Sequence, residues 1–186
     1  MGTPAETTVD PAEIERFSRI AAEWWDPAGK FAPLHRLNPV RIGYIRDRAA
    51  AHWQRDRLSG SPLKDVSLLD IGCGGGLLSE PMARLGARVT GVDAASKNVS
   101  VAAAHAEGQA LAIAGAEYVL GWLPRGTHDW KKFLKPSEVV NGLRSGGIEA
   151  QEIVGVVYSP LSRAWSLSKS DLDVNYMLYG TKPGGT

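Results

Sequence analysis

The chain has 186 residues, with 21 Lys and Arg against 20 Asp and Glu, a formal net charge of +1. That balance excludes the basic excess of a protein that coats nucleic-acid phosphates, and 44% apolar with 22% charged residues excludes a disordered chain. The length suits one domain with a true core, while a lone cysteine, Cys73, excludes an internal disulfide and a cysteine-rich zinc site.

Residues 1–9 read as a tail with no basic, apolar signal pattern. Asp10-Pro11-Ala12-Glu13 reads as a helix start, with Asp10 as cap, Pro11 in the first turn and Glu13 closing a capping box. Ile14, Phe17, Ala21 and Trp24 follow at helical spacing, and the helix should stop near Asp26-Pro27. A loop is expected over residues 28–37, and Asn38-Pro39 reads as the start of a second helix whose apolar stripe is Tyr44, Ile45, Ala49 and Trp53. Val66–Ile71 is a short apolar run of the kind found in buried parallel strands. The glycine run from Gly72 to Gly76 turns the chain into a helix expected over Leu77–Leu85, with Gly86 as its stop. Arg88–Asp93 reads as a second strand, completing a strand–helix–strand unit, and Ser96 opens a further helix carrying Val99, Ala102 and Ala106. Residues 109–123 are alanine-rich and apolar and are expected to be helical; residues 124–130 form a loop. Pro136 begins a short helix that ends at Gly146-Gly147, and Ile148–Tyr158 and Val174–Tyr179 read as two closing strands. No run reaches the ~18 apolar residues of a membrane-spanning helix, so a cytoplasmic protein is expected.

The chemistry concentrates between Asp70 and Asp93. Asp70-Ile71-Gly72-Cys73-Gly74-Gly75-Gly76 has the form D-x-G-x-G-x-G between a strand and a helix, where glycines allow positive φ and close approach of a ligand to backbone. A dinucleotide fingerprint starting at Gly72 would need glycine where Leu77 stands, which disfavours a nicotinamide dehydrogenase; a P-loop would need Gly-Lys-Ser/Thr where Gly76-Leu77-Leu78 stands. The pattern fits the first motif of S-adenosylmethionine-dependent methyltransferases. Asp93 ends the second strand 17 residues after Gly76, where a carboxylate can accept hydrogen bonds from both ribose hydroxyls. The candidate cofactor-binding residues are therefore Asp70, Gly72, Gly74, Gly76 and Asp93. Cys73 reads as a small residue in a tight turn rather than a nucleophile.

Six segments carry a family resemblance: Glu23-Trp24-Trp25-Asp26, Phe31 to Arg41, Leu69 to Gly76, Gly115 to Leu120, Gly126-Thr127-His128-Asp129 and Asp173 to Met177. Together they closely resemble the UbiG-type ubiquinone-biosynthesis O-methyltransferases. The resemblance implies an α/β fold: a Rossmann-like class I methyltransferase sheet with helices on both faces, preceded by an N-terminal helical lid. Residues 1–62 would be tail and lid, and residues 63–186 the methyltransferase domain. It implies S-adenosyl-L-methionine as cofactor and methyl transfer to phenolic hydroxyls of polyprenylated precursors, 2-polyprenyl-6-hydroxyphenol and 3-demethylubiquinol. It assigns Arg41, Gly72 and Asp93 to cofactor contact, Arg41 reaching over from the lid.

One departure is large. In the family the helix holding Val99 is followed by further strands before the Gly115-Ala116-Glu117-Tyr118 segment arrives, whereas here the two regions are joined around residues 107–112. A loss of central strands is expected, leaving the first strand with an exposed apolar edge. Either the closing strands slide in beside the first strand or the chain is poorly stable alone. Relatives that use a divalent ion take ligands from a Glu-x-x-Glu-His segment that is missing here, so no metal ligand is assigned. A catalytically inactive cofactor-binding or scaffold remnant of the family is the alternative reading.

Of the four histidines, His128 in Gly-Thr-His-Asp is the candidate base that takes the phenolic proton, with His35 next; His52 and His105 fall on helices and are expected to be solvated. Tyr118, Trp122 and Trp130, followed by Lys131 and Lys132, suit a membrane interface, so residues 112–132 are the candidate for peripheral contact with the inner membrane that a polyprenyl substrate requires.

Overall fold

The computed structural model describes residues 11–106, 111–115 and 134–183. They fall into two compact units, Met1–Thr127 and His128–Thr186.

In the first unit, α1 (Pro11–Ile20) runs into a 3-10 turn (Ala21–Glu23) and is followed by α2 (Ala32–His52). β1 (Ser67–Ile71), α3 (Ser79–Arg84), β2 (Arg88–Asp93), α4 (Ser96–His105) and β3 (Leu111–Gly115) then alternate. The three strands are parallel in the order β1-β2-β3, with Leu68 beside Val89 and Val89 beside Leu111. Parallel strands need crossovers, and α3 and α4 supply them. The core lies under α3, where Leu63, Val66, Met82, Ala87 and Val89 are buried together and Ile42 and Ile45 of α2 pack against them. A second cluster joins Ala21, Trp24, Phe31 and Leu77, binding the N-terminal segment to the residues just after the glycine loop.

Several expectations change here. α2 begins at Ala32, not at Asn38, and carries Pro39 in its interior. An interior proline removes one helical hydrogen bond. Tertiary burial outweighs that local loss: Phe31 and Leu34 pack into the cluster of Trp24 and Trp25, and buried Asn38 spends its side chain on the Leu77 carbonyl at 2.5 Å instead of capping a helix. α3 starts two residues later than Leu77 and has only six residues, so its dipole contributes little to the loop before it. Leu111–Gly115, expected to be helical, is the strand β3, because the open edge of β2 offers a ladder that the short segment after α4 completes in parallel register. The rest of residues 109–123 lies outside the described residues, as do Asp10 and the Glu13 side chain of the expected capping box.

The second unit contains α5 (Pro136–Ser145), β4 (Glu149–Ser159), β5 (Ala164–Ser168) and β6 (Tyr176–Thr181), in an antiparallel sheet ordered β5-β4-β6. Pro136 opens α5, and the Glu138 carboxylate accepts from the Lys135 backbone N–H at 2.8 Å. β5 has no counterpart in the sequence reading; it returns on β4 through a turn at residues 160–163 and sets Trp165 opposite Tyr158, ring centroids 5.2 Å apart. The closing strands therefore form a sheet of their own and do not insert beside β1. Among the described residues β1 is the outer strand of the parallel sheet, with Leu69 and Ile71 exposed by 59% and 57%.

Candidate functional site

β1 delivers Asp70 and β2 delivers Asp93 to the same end of the parallel sheet, because Asp70 lies beside Gly91 in register and both strands run the same way. The glycine loop springs from that end. Its backbone is tied down internally: the Gly72 and Cys73 amides both donate to the Val92 carbonyl, at 2.8 and 3.0 Å, and the Gly76 amide donates to the Cys73 carbonyl at 3.0 Å. The Gly74 amide donates to Asp93 Oδ2 at 2.9 Å. With those four amides already paired, the loop is not built as a nest for phosphate oxygens, and a ligand here must be met by side chains and by shape.

The glycines serve different ends. Gly72 has φ +78° and, among the described residues, nothing within 4 Å of where a Cβ would stand, so its bare backbone is open on that side. Gly74 and Gly75 are bare because Trp24 fills the space: a Cβ on Gly74 would lie 2.4 Å from the far edge of the indole, and one on Gly75 2.3 Å from its root. Gly76 lies against Ala102 of α4. Trp24 is stacked on Phe31 with ring centroids 3.7 Å apart, and its indole N–H donates to Asn98 Oδ1 at 2.8 Å. The Trp25 indole N–H donates to the Gly75 carbonyl at 2.9 Å. The two tryptophans thus clamp the loop from the N-terminal segment.

Asp93 is half-buried and anchored on one oxygen more than the other. Oδ1 accepts from the Ala95 amide at 2.8 Å and from Asn98 Nδ2 at 3.0 Å, while among the described residues Oδ2 accepts only from Gly74. A carboxylate offers about four lone-pair positions, so Oδ2 retains one for a ligand hydroxyl. In this geometry one ribose hydroxyl fits; a second would require the Gly74 amide to release Oδ2. Asp70 turns toward α3 and accepts from the buried Ser79 hydroxyl at 2.6 Å. Arg41 lies on α2: its guanidinium donates to Asn38 Oδ1 at 2.8 Å, burial pushes its pKa down, and the nearby Asp70 charge opposes that fall. Burial, reinforced by Asp93 and Asp70, pushes the Cys73 thiol up to about 12, which keeps it protonated and inert as a nucleophile.

The histidines divide. His128 lies outside the described residues, as do the side chains of residues 112–132. His35 Nε2 sits 2.8 Å from the Trp24 carbonyl and ties α2 to the segment that carries the two tryptophans. His105 is not simply solvated: its ring stacks on Trp25 at 3.4 Å between centroids, and Nδ1 lies 2.5 Å from the buried Glu80 carboxylate. Among the described residues no group of three or more His, Cys, Asp or Glu side chains is placed to hold a metal ion, and no helix is long and apolar enough to cross a membrane. Reading the sequence residue by residue misses Trp24, Trp25, Asn98 and Glu80 as parts of this site. The tryptophan pair inside a family motif is the signal that could have found the first two, whereas Asn98 looks like an ordinary helix polar residue.

Comparison with known proteins places the chain's family and fold. A methyltransferase-domain family matches residues 69–130. A ubiquinone biosynthesis O-methyltransferase of Sinorhizobium medicae is 42% identical over 248 residues, taking in 98% of this chain and 100% of that one. Another, from Parvibaculum lavamentivorans, is 43% identical over 93% of this chain and 94% of that protein. Since 98% of 186 residues is about 182, about 66 of the 248 aligned positions belong to the Sinorhizobium protein alone; with nearly all of both chains aligned, that shortfall is internal. The magnesium protoporphyrin IX methyltransferase of Synechocystis, solved with bound SAH, is 18% identical with a TM-score of 0.50, covering 91% of this chain and 94% of that one, which establishes the fold.

Proposed function

The chain belongs to the family of ubiquinone biosynthesis O-methyltransferases, and from that premise we propose that it uses S-adenosyl-L-methionine to methylate phenolic hydroxyls of polyprenylated ubiquinone precursors. The observation that carries the cofactor reading is the end of β2: among the described residues Asp93 presents one free acceptor position on Oδ2, and the Gly72 backbone is open on its Cβ side. A ribose hydroxyl suits the first and a close-lying, phosphate-free ligand suits the second. The cofactor supplies the methyl group. On the protein side Asp93 orients the ribose, Gly72 admits close approach, and Gly74 and Gly76 hold the loop in shape. Asp70 steadies the start of α3 through Ser79. Arg41 is the cation available for the cofactor's carboxylate, once it exchanges its bond to Asn38. His128 is proposed as the base that takes the phenolic proton. Residues 1–62 are read as tail and lid and residues 63–186 as the shortened methyltransferase domain. Residues 112–132 are read as the segment that meets the inner membrane; loss of vesicle flotation in Trp122→Ala and Lys131→Ala/Lys132→Ala variants supports this, and unchanged flotation refutes it.

The test is thermal unfolding of the chain with increasing S-adenosylhomocysteine, followed by methyl transfer to 2-polyprenyl-6-hydroxyphenol. A native-state ligand at a hundredfold excess over Kd stabilises by about 2.7 kcal/mol, which raises Tm by several degrees in a chain of this size. A cooperative transition that climbs with ligand, with methyl transfer detected, supports the proposal. An upward shift without methyl transfer points to the cofactor-binding remnant, a reading favoured by the internal loss of about 66 positions and the exposed outer strand β1. A transition indifferent to ligand refutes both.

A further inference from the structure

We propose that Trp24 and Asn98 are positioning residues that decide which oxygen of Asp93 is offered to the cofactor's ribose, so that Trp24 tunes cofactor affinity through Asn98 and Asp93 rather than by contact with the cofactor. The inference rests on the cofactor reading above.

The argument begins with an asymmetry of donors. An indole N–H can only donate, so the atom of Asn98 that faces Trp24 at 2.8 Å has to be the amide oxygen. The Asn98 nitrogen is thereby turned to Asp93, where it donates to Oδ1 at 3.0 Å. Reversing the amide would set two donors against each other at Trp24 and two acceptors against each other at Asp93. Asn98 is 2% exposed, so water cannot take over either bond. The Ala95 amide adds a second bond to Oδ1, which fills that oxygen's lone-pair positions. Among the described residues Oδ2 is held by the single Gly74 amide and keeps room for an incoming hydroxyl.

Trp24 is itself held by its stack on Phe31 and by close contact with Gly74 and Gly75, so the orienting group is rigid and comes from a different part of the chain than the carboxylate. The chain of bonds runs from the N-terminal segment through α4 to the end of β2, and each step has one allowed polarity.

The test compares binding of S-adenosylhomocysteine with binding of its 2′,3′-dideoxy analogue by calorimetry, in the full chain and in the variants Asn98→Leu and Trp24→Phe. Trp24→Phe keeps an aromatic ring on Phe31 and removes the donor, which guards against a variant that fails to fold; a retained cooperative melt confirms folding. The expected result is about tenfold weaker binding of S-adenosylhomocysteine by Asn98→Leu, in line with loss of a hydrogen bond to a charged group. Trp24→Phe should weaken binding in the same direction and less, and the dideoxy analogue should bind all three proteins alike. Equal weakening of both ligands would mean a merely structural role and would overturn the proposal, as would unchanged affinity for S-adenosylhomocysteine. Failure of the folded parent chain to bind S-adenosylhomocysteine would overturn the cofactor reading and this inference with it, whereas parent binding with unaltered ribose discrimination in the variants overturns this inference alone.

Discussion

Gly74→Ala should be destabilising for two separable reasons, and only one of them depends on Trp24. Gly74 has φ +55°, the left-handed region, where an alanine costs about 1–2 kcal/mol. Its added Cβ would also lie 2.4 Å from Trp24 Cη2 and Cζ2, about 1 Å inside the 3.4 Å of ordinary contact. Those atoms belong to an indole fixed by Phe31 and Asn98, so relief requires moving a packed ring, an overpacking penalty of about 1–3 kcal/mol. The sum is about 3 kcal/mol, a large share of the roughly 5–15 kcal/mol stability of a typical domain. In a Trp24→Leu background the indole edge is gone and only the backbone strain remains, so Gly74→Ala should cost about 2 kcal/mol less there than in the parent. Gly75→Ala is the counterpart. Its Cβ would meet Trp24 Cβ and Cγ, at 2.4 and 2.3 Å, atoms that a leucine side chain also has, so Trp24→Leu should not rescue it. Urea unfolding followed by far-UV circular dichroism measures both double-mutant cycles. A Gly74→Ala penalty that is the same in both backgrounds refutes the assignment of that glycine to Trp24 packing.

The thiol of Cys73 should resist iodoacetamide at pH 8 in the native protein and react once urea unfolds it; native alkylation at the unfolded rate contradicts its burial. Because the folded thiol sits near 12 and the unfolded one near its ordinary 9.0, the unfolded state gives up its proton first as pH rises. The Cys73 contribution to stability should therefore be constant below pH 9 and fall by up to about 1.4 kcal/mol per pH unit between 9 and 12, a contribution that Cys73→Ala removes. Glu80 is only 3% exposed and is held by Arg84 and His105, both far more exposed than it is. His105→Ala, which strips a partner from that buried carboxylate and removes the Trp25 stack, should cost about 2–3 kcal/mol, and Glu80→Gln, which keeps hydrogen-bonding capacity and leaves no buried charge, about 1 kcal/mol. Urea midpoints in the opposite order would refute the assignment of the penalty to a stranded carboxylate.

Residues close together in the chain are legible from local pattern. Arg88–Asp93 and the start of α4 at Ser96 coincide with the sequence reading, because strand-to-helix alternation around a glycine run is a local signal. The start of α2 is not legible, because Pro39 punctuates a local reading while the burial of Phe31 and Asn38 that overrides it involves residues far away in sequence. β3 reads as helical because an alanine-rich run states no period, and only the open ladder of β2 makes it a strand. β5 escapes notice because its partner across the turn gives it its meaning. The same division holds at the site. By itself the sequence determined a methyltransferase glycine loop, an acidic strand end and a missing middle, since each is a matter of residue type and spacing along the chain. Only the tertiary structure decided that Trp24 is the reason two of the glycines are bare, that Asp93 has one acceptor position left, and that the closing strands make their own sheet. Those are outcomes of which donors, acceptors and surfaces meet across long stretches of chain, and spacing carries no record of them.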